Sequence, residues 1–444
     1  MIQAGNPSRR RSPVALGLLV GWLAVPPVVA QEAVPEQLTL AAALRIAETQ
    51  SPVFRAARHV VDVARAEVRT ALRRPNPVVV IEGEEYSPLA SDRRSFWTDQ
   101  ALIVRFQQEI ETAGRRRHRI RSADAGVAVA RAETADARRR LQLAVGRTYF
   151  ALALAQADRA VATAALEEIE RVIALTEARF TAGEVAGVEL RRLDVERLSF
   201  VDQALTTDLA VRTARAALLG LLGAADLDQP VEAADPLQAA PLRGSDGRPI
   251  ATAEGMAVGV ASLREEAAAA RPDLRAARRA RERADSEVLR ERALRAPSVT
   301  AGWGYRRDFG RHAMDFALSI PVPLFGALNP GGVPRAEAER RRLAALEDAA
   351  DIAVAVELQQ AVDAVEVSAE RVRYVEEEYL RGAEEARDLV QASYELGETA
   401  LIDFLDAQRE FRATQRVRNQ ALYDLRISLI ELAAAIGVPY SGQP

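Results

Sequence analysis

The chain has 444 residues, 49% hydrophobic and 27% charged but only 5% aromatic, so Ala, Leu and Val supply most of the apolar surface, as in long, closely packed helices. A formal charge of −4, with no lysine at all, gives no basic excess for a nucleic-acid partner. Zero cysteine excludes disulfides, thiolate metal sites and a lipidated N-terminal cysteine, and His59, His118 and His312 are too scattered for a metal centre.

Residues 1–30 read as a secretory signal. Arg9, Arg10 and Arg11 precede an apolar stretch from Val14 to Val25, and Val28 and Ala30 precede a cut before Gln31. Removing them takes the charge from −4 to −7. No later apolar run reaches the ~20 residues of a helical span, so any membrane insertion must use strands.

The first repeat, 31–223, opens with a short helix and continues into a hairpin over about 76–110. Leu102, Val104 and Phe106 alternate with Ile103, Arg105 and Gln107, whereas Val78 to Ile81 is continuously apolar and alternates poorly. A long helical pair over 115–222 follows, with no proline from Pro88 to Pro230. Leu166, Ile169, Ile173, Thr176 and Phe180 step by three and four, the spacing of a stripe facing a neighbouring helix. A helix from Arg115 to Arg179 would be ~95 Å long, too long for one compact globule.

Residues 224–260 read as a linker, broken by Pro230, Pro236, Pro241 and Pro249. The second repeat, 261–440, has a helix, a hairpin over about 297–324 and a long helical pair over 335–437, before a tail at 441–444. Val299, Ala301, Trp303 and Tyr305 form one alternating set; Met314, Phe316, Leu318 and Ile320 form another. Leu422, Leu425, Leu429, Leu432 and Ile436 repeat the stripe of the first helical pair. Ser51-Pro52 returns as Arg271-Pro272 and Pro77 as Pro297, both at an offset of 220. Gly183 returns as Gly397 and Gly223 as Gly437, both at an offset of 214, so the chain reads as a duplication.

Strands apolar on one face and polar on the other fit a transmembrane barrel or a half-buried soluble hairpin. Leu102, Val104, Phe106, Trp303, Tyr305, Phe316 and Leu318 are the expected lipid-facing set, with Trp97 and Trp303 at the membrane interfaces. Four strands cannot close a barrel, which takes ~8, and open edges in lipid are costly. The hairpins are therefore expected to pair with those of other copies.

The segment Tyr394-Glu-Leu-Gly397-Glu-Thr-Ala-Leu-Ile-Asp403-Phe-Leu-Asp406 resembles the periplasmic tip of the TolC family of outer-membrane channels, and Phe180-Thr-Ala-Gly183 through Glu189 resembles the companion tip. The resemblance covers about 38–440. It implies a mainly α fold with a small β part. Two hairpins per chain would enter a barrel shared by a homotrimer, with a helical coiled-coil tunnel reaching into the periplasm. Gln107 to Arg116 is similar to the hairpin-to-helix junction of the cobalt–zinc–cadmium (CzcC-type) subgroup. Thr399 and Val185 stand where some members place a clamping arginine.

The resemblance further implies a passive exit duct that needs an RND-type inner-membrane pump and a periplasmic adaptor as partners, in contact with outer-membrane lipid. Glu189, Asp403 and Asp406 would ring the tip as a gate attracting cations, or they are acids on a solvated helix face. Phe180, Gly183, Tyr394 and Gly397 would form the tip turns and meet the adaptor, or Phe180 and Tyr394 simply pack there. Arg115, Arg116, Arg117 and Arg119 follow a strand, where they could touch lipid headgroups or water. No phosphate loop, nucleophile elbow or H-E-x-x-H pattern appears, so no enzyme, cofactor or catalytic residue is expected. Heavy-metal cations are the first expected substrate, with drug efflux and type I secretion as alternatives. A poreless periplasmic coiled-coil protein is the reading from another class.

Overall fold

A computed structural model describes residues 33–84, 101–244, 247–308, 311–324, 326 and 328–440. The expected signal segment, its cut at Gln31, Trp97 and the tail lie outside these residues. In chain order the elements are β1 (Gln37–Leu38), α1 (Leu40–Gln50), α2 (Pro52–Leu72), β2 (Val78–Glu84), β3 (Ala101–Ile110), α3 (Arg115–Thr181), α4 (Gly187–Leu222), β4 (Glu232–Ala233), β5 (Leu242–Arg243), β6 (Pro249–Thr252) and β7 (Gly255–Met256). Then come α5 (Val260–Ala270), α6 (Pro272–Ala293), β8 (Val299–Asp308), β9 (Arg311–Ser319), α7 (Gly332–Tyr374), α8 (Arg381–Glu395) and α9 (Leu401–Ile436).

Local chemistry sets several of these boundaries. The Thr39 hydroxyl caps α1 by accepting from the Ala42 amide, and Pro52 and Pro272 open α2 and α6, where a missing N–H costs nothing. The 67 residues of α3 run ~100 Å at 1.5 Å per residue. Near the sheet, α3 lies beside α2 and α6, with α7 on the far side of α6. Farther along, α3 lies beside α4 and α9, and α9 packs on α7 and α8.

The largest core sits mid-length and joins α1, α3, α4, α7 and α9 through Tyr149, Phe150, Leu218, Leu358 and Leu425. All five residues of the stripe from Leu422 to Ile436 are buried in it. The 224–260 stretch is not a free linker. Val231, Leu237, Leu242, Ile250 and Ala251 enter this core, β1 pairs with β4, and β5, β6 and β7 form a small sheet. Its prolines interrupt helix but leave enough apolar residues to bury.

One further difference from the sequence reading concerns regularity. The first helix of the second pair is interrupted at Val375–Leu380 by a π-helical segment between α7 and α8, although no proline or glycine marks it. Val78 to Ile81, the poorly alternating run of the expected hairpin, lies in strand β2, and pairing with β3 fixes its register.

Each half docks its long hairpin in the same way. Gly223 ends α4 with φ +77°, and a Cβ there would lie 2.9 Å from the Gln50 carbonyl oxygen. Gly437 ends α9 with φ +88°, and a Cβ there would lie 3.1 Å from the Arg271 backbone. Only glycine combines a left-handed conformation with so close an approach.

Candidate channel wall and mouth

β2, β3, β8 and β9 form one antiparallel sheet in that order, with β2 and β9 at its edges among the described residues. The register aligns side chains into rows. Val79, Phe106, Trp303 and Phe316 form one row, and Ile81, Val104, Tyr305 and Met314 the next. Leu318 follows beside Ala301 towards the helices, while Leu102 lies at the other end in a row with Arg307 and His312. This face is open: Phe316 is 77% exposed and Trp303 47%, although Phe106 and Trp303 pack with ring centroids 4.6 Å apart.

The opposite face is polar. Val80, Arg105, Gly304 and Asp315 share a row, and Arg105 reaches across Gly304 to donate to Asp315 at 2.5 Å. A Cβ on Gly304 would come 2.2 Å from the Val104 carbonyl oxygen, so the glycine permits the close approach of β8 to the backbone of β3. Glu82 adds a second carboxylate 3.6 Å from Arg105. One face therefore suits hydrocarbon and the other a watery interior.

The helical layer also has two unpartnered edges. Val188, Val195, Leu198, Leu205 and Leu209 on α4 are exposed at steps of seven, three, seven and four. On α2, Val53, Val60 and Val63 are exposed, and on α7 so are Ile352, Val356, Val367 and Tyr374. Heptad-spaced apolar residues left open to water are the seam of a coiled coil lacking its second helix. A cavity of 1150 Å³ touches α2, α3, α6 and α7 together, so it lies on the concave side of that four-helix layer.

At the end far from the sheet, Gly183 and Gly397 take φ +80° and +78° just past the ends of α3 and α8, turning the chain into α4 and α9. Tyr394 is packed within the chain's own tip core. It is 6% exposed, stacks on Phe404 at 5.0 Å and places its hydroxyl 3.3 Å from Thr176. Thr176, the one polar residue of its stripe, is buried by this contact. Phe180 is half-exposed and packs on Gly187, where a Cβ would lie 3.2 Å from its ring. Leu396, Val188 and Ile402 add exposed apolar surface at this end.

Glu189 and Asp403 occupy the first turns of α4 and α9, where the helix dipole favours acids. Asp403 is exposed and makes no ion pair among the described residues, whereas Asp406 pairs with Arg409 at 2.9 Å. Arg409 also reaches Glu196 on α4 at 3.4 Å. Arg179 donates to the carbonyls of Tyr394 and Glu395 at the end of α8. The helical pairs are thus clasped by Arg409 and Arg179, residues the sequence reading did not single out because arginine at helical spacing is common throughout the chain.

Three arginines of the run after β3 are committed to the fold. Arg116 donates to the Leu72 carbonyl, Arg119 to those of Ala71 and Arg73 and to Glu111, and Arg115 to those of Leu294 and Ala296. They satisfy the open carbonyls that end α2 and α6. Arg117 alone in this run stays exposed. No cluster of His, Asp and Glu fit to hold a metal ion occurs among the described residues.

The sequence profile of the outer membrane efflux protein family matches residues 43–224 and 263–438. The chain belongs to this family. The cobalt-zinc-cadmium resistance protein CzcC of Cupriavidus metallidurans is 26% identical over 374 residues, 84% of this chain and 83% of that one. The open-state MtrE outer membrane channel of Neisseria gonorrhoeae superposes with a TM-score of 0.72 at 21% identity, covering 90% of this chain and 89% of that one. CusC gives 0.71 at 18% identity, covering 90% and 92%. These neighbours share a helical tunnel joined to a barrel. The protein is an outer-membrane efflux duct extending into the periplasm, in a family of channels rather than enzymes.

Proposed function

We propose that three copies of this efflux protein close into one duct, with four strands from each completing a twelve-stranded barrel. The observation that carries this is the pair of unsatisfied edges: β2 and β9 end the sheet, and exposed apolar seams on α2 and α4 face one way and those on α7 the other. An isolated chain would leave backbone groups open in lipid and a coiled-coil seam open in water, whereas edge-to-edge closure satisfies both. The matched docking of Gly223 and Gly437 supports an ancestral duplication.

In this assembly Leu102, Val104, Phe106, Trp303, Tyr305, Phe316 and Leu318 face lipid, and Glu189, Asp403 and Asp406 line the mouth as the charged gate. Phe180, Leu396 and Ile402 offer the apolar contact for an adaptor, which couples the duct to an RND-type pump; Gly183 and Gly397 shape that surface. The likeness to CzcC along most of the chain supports metal cations as cargo. With no Cys, three His and three Met in the chain, selectivity for soft metals would reside in the pump. Native mass measurement of detergent-extracted protein tests the assembly: a trimer is expected, and a stable monomer would overturn it.

A further inference from the structure

Two rows of charge run along the flank opposite the large concave cavity. On α2, Arg55, Arg58, Asp62 and Arg65 line a smaller cleft that Arg131 of α3 closes from the other side. Continued by helical steps towards the sheet, the α2 row reaches Arg69 and the α3 row reaches Arg121 and Arg117. Arg73 and Arg74 complete the end of the α2 row, five and four residues before β2 begins. All five of these membrane-proximal arginines are exposed, and none makes an ion pair among the described residues. Glu111 is held by Arg119, and Asp62 by Arg65 and His59. Asp124 lies one turn beyond Arg121.

The fold does not require this charge. At the offset of 220, Arg69 and Arg73 correspond to Leu289 and Ala293 of α6, and Arg74 to Leu294 just past its end. Arg65 corresponds to Asp285. The three positions of Arg69, Arg73 and Arg74 therefore need no charge for folding, although the second half carries Arg290, Arg292 and Arg295 at neighbouring positions of its own.

We propose that Arg69, Arg73, Arg74, Arg117 and Arg121 form a belt that binds the phosphate headgroups of anionic phospholipid in the leaflet facing the periplasm. This rests on the duct reading, which makes the concave side the lumen and this flank the outer wall. In that reading the belt lies just beyond the ends of β2 and β3, so a lipid whose chains lie against Val79 and Phe106 presents its phosphate at the level of these guanidinium groups. Arginine suits that role, with a fork of donors for phosphate oxygens and a long apolar stem along the helix.

Native mass spectrometry of the detergent-extracted protein, with phosphatidylglycerol or phosphatidylcholine added, separates the belt from the assembly. Phosphatidylglycerol should be retained in preference to phosphatidylcholine, and each arginine removed should weaken retention by about fivefold. Arg73→Gln with Arg74→Gln should therefore lose about 25-fold, and all five changes more. Arg55→Gln with Arg58→Gln, on the same flank but away from the sheet, should leave retention unchanged. Equal retention of the two lipids, or full retention by the Arg73/Arg74 double variant, would overturn the belt. The peak mass reports oligomeric state independently: a monomer that loses phosphatidylglycerol in the double variant would contradict the ring and support the belt.

Discussion

Replacing Met314 with arginine places a charge near the middle of the apolar face, since Met314 is the fourth of nine residues in β9 and is 66% exposed. Its row neighbours Tyr305, Val104 and Ile81 offer no counter-charge. A buried arginine at mid-depth costs about 2–4 kcal/mol per chain, falling to about 0–1 near an interface. Three copies bring the penalty to about 6–12 kcal/mol per ring, comparable with the whole stability of a typical domain. Phe316→Arg, one row nearer the helices and equally close to the middle of β9, should cost about as much. Ala313→Arg, at the depth of Met314 but on the polar face, should be tolerated, as should Ser319→Arg. Trimer yield in outer-membrane fractions and urea midpoints in lipid vesicles would give that order. Equal assembly of the Met314 and Ala313 variants would refute the assigned facing.

Other consequences concern the mouth, the junction and the sheet. Asp403→Ala with Asp406→Ala removes six carboxylates per trimer, so single-channel recordings should show reduced cation preference and weaker block by multivalent cations, with Glu189→Ala having a smaller effect; unchanged selectivity would reduce the acids to a solvated face. Arg271 is 2% exposed and donates to Asp273, Glu357 and the Ala435 carbonyl, so Arg271→Leu should destabilise by about 3–5 kcal/mol in urea titrations. Burial raises the Asp273 pKa, but the Arg271 hydrogen bond and charge hold it below the ordinary carboxylate value. Its stabilising contribution is therefore present above the unfolded-state pKa and lost as pH falls, and Arg271→Leu should flatten that acid limb. Gly304→Ala should displace β3 from β8 and lower the urea midpoint, whereas an unchanged midpoint would show that the two strands do not approach so closely there.

The features most legible in the sequence were those with a long period. Proline-free windows and three–four steps marked α3 and α9 because such a stripe extends over many turns and buries against one neighbour. Two-residue alternation marked β3, β8 and β9 for the same reason. Val78 to Ile81 fell within the expected hairpin, but its facing was not legible because both faces of β2 are apolar there and only pairing with β3 distinguishes them. The folded 224–260 stretch escaped because proline content signals interrupted helix without saying whether the intervening residues are buried. The π-helical turn at 375–380 leaves no compositional trace. At the mouth, the acids and glycines were visible as a motif, but the burial of Tyr394 and the clasp of Arg409 depend on residues over 200 positions away, Thr176 and Glu196.

Closure of three copies edge to edge is tested most directly by cross-linking α4 to α7. Arg159 of α3 lies 3.8 Å from Asp208 of α4, Asp158 accepts from Asn419 of α9, and Arg418 pairs with Glu376 just beyond α7. These contacts put Leu209 and Tyr374 at one level on opposite edges, separated within a chain by α3 and α9. The chain has no cysteine, so Leu209→Cys with Tyr374→Cys supplies its only thiols. Mild oxidation of outer membranes should give covalent dimers and trimers from the double variant and no cross-linked ladder from either single variant. A double variant that stays monomeric under oxidation while remaining folded in the membrane would contradict the closed ring.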